Sequence, residues 1–177
     1  MFKKKYGRLT VGAWLSLEME QSSPVITLLF GVCYFLAGIA VRICVGSPYP
    51  VLMALGIGEL VPPAWILSFL WSISFFIVGS AFGFLLAYRE RGCSGEKYKG
   101  GMLFLLLAVL ELLWYPTFFC GALVFLSVLE SILILCLCVW VTAIAYRVTK
   151  FVGMILLLHD VWLIYMLILN FAILFHT

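Results

Sequence analysis

Charged side chains are confined to a few short stretches of this chain, and the apolar intervals between them set its architecture. From Leu60 to Tyr88 there are 29 consecutive residues without a charge, where a bilayer-spanning helix needs only about 20 apolar residues. Pro62 and Pro63 open this run, since proline is best tolerated where backbone N–H groups would lack partners anyway. An earlier run covers residues 24–44 and is uncharged until Arg42. Residues 101–146 are almost wholly apolar; as one helix they would reach about 69 Å, more than two hydrocarbon thicknesses. The chain must therefore reverse within that run, and Pro116 to Gly121 offers the break. A last run covers residues 151–175. The pattern predicts spans over about 24–44, 62–88, 101–118, 122–146 and 151–175. The expected fold class is an all-α membrane protein, a five-transmembrane-helix bundle over residues 24–177 preceded by a segment over residues 1–23. Residues 46–61, rich in glycine and proline, form the longest connection between spans.

Composition agrees with the pattern. Of 177 residues, 66% are hydrophobic and 11% charged, against about 45–50% and about 25% in soluble domains. A chain this apolar cannot hide its surface from water in a single core of this size. The net charge of +3 is small and gives no sign of a nucleic-acid partner; its distribution says more. Ten of the eleven Lys and Arg residues fall on the side of the N-terminus and of the second and fourth connections, leaving Arg42 alone opposite. The positive-inside rule then predicts a cytoplasmic N-terminus and an outside C-terminus, a distribution that fits a bacterial cell membrane. Residues 1–23 carry Lys3, Lys4, Lys5 and Arg8, an apolar patch around Trp14, then Glu18 and Glu20. No small-residue cleavage pattern follows, so the segment reads as cytoplasmic or interfacial rather than as a signal peptide. Cys136 and Cys138 lie about 200° apart around a helix, and no Cys/His spacing matches a zinc site. The cysteines read as small apolar residues, and no metal is expected.

Depth along each span places the candidate chemistry. At 1.5 Å per residue, Trp71 lies about 14 Å in from the outer side and Glu111 about 15 Å in from the inner side. Glu130, His159, Asp160 and Trp162 fall about 12–17 Å deep, so all of these crowd the midplane. Ionisable groups there are costly and are expected to face the bundle interior, either bonding neighbouring helices or serving a ligand or a proton. Glu111, Trp114 and Phe118 share one face of the third span; Trp71 and Phe75 share one on the second, and Trp162 and Met166 one on the fifth. Three such faces at one level predict a flat, aromatic-lined cavity. Gly79-x-x-x-Gly83 permits close helix approach, within the bundle or in a dimer.

Three ordered blocks resemble the tryptophan-rich sensory protein / translocator protein family, also known as the peripheral-type benzodiazepine receptor family. Pro62-Pro63-x-Trp65 with Trp71 six residues on resembles that family's PPxWxFxxxW. Leu110-Glu-Leu-Leu-Trp114-Tyr-Pro116-Thr-Phe118-Phe119 resembles LNxxWxPxFF. Trp162 with Leu169-Asn170 resembles WxxFAxxLN. The resemblance covers residues 24–175 and implies a five-helix bundle, often a homodimer, whose cavity is closed by the connection between the first two spans. It implies binding of tetrapyrroles such as protoporphyrin IX and haem and, in animals, of cholesterol and synthetic isoquinoline or benzodiazepine ligands. Carried over by motif, Trp71, Phe75, Trp114, Phe118 and Trp162 would line the cavity, with Pro116 shaping the third span. Some bacterial members are proposed to degrade porphyrin in light through tryptophans corresponding to Trp71 and Trp162.

The chain departs from the family pattern at several positions. Glu111 stands at an asparagine position; charged, it would repel porphyrin propionates, and protonated it could hydrogen-bond them. The family's Pro-Tyr before the fifth-span tryptophan reads Leu158-His159, followed by Asp160. No Lys or Arg follows Asn170, so the animal sterol motif is missing.

The functional expectation is a membrane receptor or sensor binding a planar hydrophobic ligand, a tetrapyrrole, through Trp71, Phe75, Glu111, Trp114, Phe118, Trp162 and Met166. No cofactor is required; porphyrin or haem enters as ligand, with membrane lipid around the bundle. The alternatives are a small transporter using Glu111, Glu130, Asp160 and His159 as a proton or cation relay, and light-dependent porphyrin breakdown at Trp71 and Trp162. Conventional catalysis finds no support in a nucleophile–base pair, metal set or phosphate loop. His159, the imidazole within a span, is the candidate axial ligand should haem be bound.

Overall fold

A computed structural model describes residues 12, 16, 20, 22–89, 94–120 and 123–176. Most of the segment expected at residues 1–23 therefore lies outside the described residues. Helix α1 (Pro24–Val45) starts at a proline in its first turn and ends at Gly46, whose φ of 99° suits glycine and whose N–H bonds Arg42 O. Arg42, in the last turn of α1, complements the helix dipole and donates to Ser68 Oγ at 2.6 Å. The connection that follows is itself folded. It contains a short helix, α2 (Pro48–Ala54), and a 3-10 turn at Gly58–Leu60, and it buries Leu52, Ile57 and Val61 in the aromatic core.

Helix α3 (Ala64–Ala87) begins directly after Pro62 and Pro63, so the two prolines precede the helix and Pro63 is its cap residue. Helix α4 (Ser94–Phe119) starts seven residues before the apolar run, a correction to the expected start at residue 101. Its first two turns carry Glu96, Lys97 and Lys99, and Lys97 Nζ donates there to Tyr88 O at the end of α3. Pro116 sits inside α4 without ending it, and the reversal comes just after Phe119. Helices α5 (Val124–Val148) and α6 (Lys150–His176) are separated by Thr149 alone, in extended conformation.

Five of these helices, α1, α3, α4, α5 and α6, are long and apolar enough to cross a membrane, and the described residues contain no strand. The chain is a multi-pass integral membrane protein with an all-α bundle fold.

Small residues fix the packing at two seams. A Cβ on Gly79 would stand 2.5 Å from Phe30 O, and one on Gly83 would stand 2.8 Å from Ile26 O, so α1 lies backbone-close along α3. The Gly79-x-x-x-Gly83 face is thus filled by α1 of the same chain. Gly153 performs the same task in the α5–α6 hairpin, where a Cβ would meet Tyr146 at 2.6 Å. Between the helices lie two apolar clusters. One surrounds Trp71, Trp114 and Phe118; the other, around Phe84, Phe104 and Val141, fills the end bearing the basic connections.

Candidate functional site

Helix α3 brings Trp71, α4 brings Trp114 and α6 brings Trp162 to one level of the bundle. The ring centroids of Trp71 and Trp114 are 5.6 Å apart and those of Trp71 and Trp162 are 6.0 Å apart. Tyr115 meets Trp71 edge-on at 4.9 Å, while Phe118 stacks on Trp114 at 5.4 Å and 14°. Such tilted and edge-on arrangements suit the ring quadrupoles and add stabilisation beyond area burial. Trp114 Nε1 donates to Ser127 O at 3.2 Å, satisfying its one polar atom.

These rings enclose a cavity of about 40 Å³, lined by Trp71, Phe75, Trp114, Trp162 and Met166 on its apolar walls. Glu111, His159, Ser74 and Ser131 supply its polar side. Six of the seven residues singled out in the sequence therefore line one cavity. Phe118 stands behind Trp114 as its stacking partner. Trp65, in the first motif block, is 72% exposed on the outside of the bundle.

The polar side of the cavity is a hydrogen-bonded chain across four helices. Tyr34 OH, from α1, donates to Glu111 Oε2 at 2.6 Å. Glu111 Oε1, from α4, lies 2.7 Å from His159 Nε2 on α6, and His159 Nδ1 lies 2.6 Å from Ser74 Oγ on α3. Glu111 and His159 are both buried. The 2.7 Å contact lets one proton serve both Glu111 Oε1 and His159 Nε2. Ser74 Oγ can donate or accept, so its contact with His159 Nδ1 holds in either tautomer of the ring. A net charge at this depth would be expensive, which is why the partners occur together. Both ring nitrogens of His159 are engaged, so an iron bond at either would displace Glu111 or Ser74.

The other two midplane acids are placed elsewhere. Glu130 is half-buried on α5 and does not line the cavity. Asp160 is buried one residue beyond His159, beside Cys138 of α5, and its Oδ1 has no hydrogen-bond partner among the described residues. Asn170 ties α6 to α5 through Ser131 Oγ at 3.1 Å, so that motif residue braces the wall behind the cavity. Among the described residues there is no cluster of His, Cys, Asp and Glu suited to a metal ion.

Sequence reasoning missed Tyr34, Ser74 and Ser131. Tyr34 sits ten residues into α1, at the same depth as Glu111, and a hydroxyl at that level was the available signal. Ser74, one turn after Trp71, was readable from helical spacing. Ser131 lies on a span with no aromatic face to mark the direction of the cavity.

Trp162 also faces outward. It lines a groove of about 560 Å³ shared with Glu59, Leu60, Pro62, Leu70 and Tyr165, between the folded connection, α3 and α6. Tyr165 OH donates to Leu60 O at 3.0 Å and pins the connection to α6 at the mouth of that groove. One indole separates the inner cavity from the outer groove.

Comparison with curated proteins and with solved structures gives no match. A family model does match, over residues 25–176, and its description is TspO/MBR family. The match begins one residue into α1 and runs to the last residue of α6, taking in Trp71, Trp114 and Trp162, the folded connection and the Glu111–His159 pair; the chain belongs to the TspO/MBR family.

Proposed function

We propose that this protein is a membrane receptor or sensor for a planar hydrophobic ligand, a tetrapyrrole such as protoporphyrin IX or haem, bound between Trp71, Trp114 and Trp162. The observation that carries this reading is the convergence of three indoles from three helices around a cavity with one polar side. Flat aromatic walls suit a flat aromatic ligand, and a few converging polar groups suit orientation of its polar edge. Family membership points the same way.

The cavity of about 40 Å³ has room for about three waters, whereas sites for drug-sized ligands measure roughly 300–1,000 Å³. Binding therefore requires the indoles to part. Trp162 is the wall that can move, because it is only half-buried and has the outer groove behind it. The polar edge of the ligand then meets Glu111, His159, Ser74 and Ser131 on the polar side of the cavity.

The test is titration of the purified chain with protoporphyrin IX in darkness, followed by tryptophan fluorescence. Saturable quenching at micromolar ligand, weakened in Trp71→Phe and Trp162→Phe, is expected. Absence of saturable quenching in the wild-type chain overturns the reading. Repeating the titration under illumination separates binding from breakdown, since only breakdown bleaches the porphyrin spectrum.

A further inference from the structure

A second cleft, of about 550 Å³, opens at the basic end of the bundle between the first turns of α4 and the last turns of α5. Its rim carries Lys99 and Arg147 from opposite helices, with Glu96 as the one acid among the lining residues. Lys97 is committed to Tyr88 O, but among the described residues neither Lys99 nor Arg147 forms an ion pair. The floor is apolar and runs into the bilayer along two helical stripes. Met102 and Leu103 lie one turn beyond Lys99, and Ile144 and Trp140 lie one and two turns before Arg147.

We propose that this cleft binds one anionic phospholipid, its phosphodiester between Lys99 and Arg147 and the start of an acyl chain over Leu103, Ile144 and Trp140. Three observations support that occupant. The rim carries two cations and one acid, a net single positive charge that complements one phosphodiester. The polarity gradient is that of a phospholipid, charged at the membrane surface and apolar within about 10 Å along the helices. The aromatic Trp140, 60% exposed, lies where a glycerol–acyl boundary would rest. Arg147 offers a planar fork for phosphate oxygens and Lys99 a mobile point charge, so the two complement each other on one headgroup. Nothing in this proposal depends on the tryptophan cavity.

The test is native mass spectrometry of the full chain released from nanodiscs of equimolar phosphatidylglycerol and phosphatidylcholine. The wild-type chain is expected to retain phosphatidylglycerol preferentially. Lys99→Ala with Arg147→Ala should lower that preference by about fivefold for each cation removed. Arg89→Ala with Lys150→Ala, removing two cations at the same end but outside the cleft, should leave it unchanged. Ile144→Trp, which fills the floor and keeps both cations, should also abolish retention. The proposal falls if the wild type shows no preference for the anionic lipid, or if both double variants lose it equally. It falls too if Ile144→Trp retains the lipid or if inorganic phosphate alone strips it, because a surface anion site would then suffice.

Discussion

His159 Nε2 on α6 stands 2.7 Å from Glu111 Oε1 on α4, and each of the two buried side chains has a second partner on yet another helix. The bond is thus the centre of a tie between α1, α3, α4 and α6. Removing one side of a buried pair leaves the other without compensation. His159→Ala is expected to destabilise the chain by about 3 kcal/mol. Glu111→Gln keeps an acceptor for Tyr34 and a donor for His159, so it should cost about 1 kcal/mol or less. Tyr34→Phe removes one hydrogen bond; bonds between membrane helices average about 0.6 kcal/mol, and this value applies here rather than the larger one from water-soluble proteins. Thermal unfolding in detergent should show His159→Ala melting well below the other two variants.

Ligand affinity should follow the indoles that face the cavity and ignore the one that does not. Trp71→Phe and Trp162→Phe are each expected to weaken protoporphyrin IX binding about tenfold, near 1.4 kcal/mol, as aromatic contact is lost. Trp65→Phe should leave the dissociation constant unchanged, because Trp65 is 72% exposed on the outer surface. Fluorescence titration of the three variants checks this directly.

The α1–α3 seam makes a sharper stability prediction. At Gly79 the obstacle to a side chain is the Phe30 carbonyl, a backbone atom that cannot rotate away. Gly79→Leu should therefore cost about 3 kcal/mol, the upper part of the usual range for overpacking. Gly95→Leu, where a Cβ would meet nothing within 4 Å, should be neutral. Denaturation midpoints of the two variants provide the comparison.

Orientation can be read from the cysteines. Cys120, at the turn after α4, is exposed at the end opposite the basic connections. With the N-terminus in the cytoplasm, as the positive-inside rule predicts, a variant retaining only Cys120 should react with a membrane-impermeant maleimide on intact cells. A variant retaining only Cys138, which is buried, should stay unlabelled. Labelling of Cys120 only after the cells are opened would reverse the orientation.

The spans were legible because hydrocarbon forces a simple code: an uncharged run of about 20 residues has few other uses. The same code could not show that Ser94–Gly100 extends α4, since lysine, glutamate and glycine outside the bilayer fit loop or helix equally well. Trp71, Trp114 and Trp162 were readable as one level from depth and helical spacing together. Direction around each helix was less legible. Phe118 shares a face with Trp114 yet stacks behind it, and Tyr34 was hidden in α1, whose lipid-facing and protein-facing residues are nearly all apolar. Which acid would find a partner depended on tertiary packing: Glu111 met His159, while Glu130 Oε2 and Asp160 Oδ1 have no hydrogen-bond partner among the described residues.

Trp162 belongs to two hollows at once, one inside the bundle and one on its flank. A rotation of that ring that enlarges the inner space must shrink or reshape the outer one. The two hollows are thereby coupled through a single side chain, next to Tyr165 and the connection it holds. A change in the shape of one hollow is therefore a change in the shape of the other.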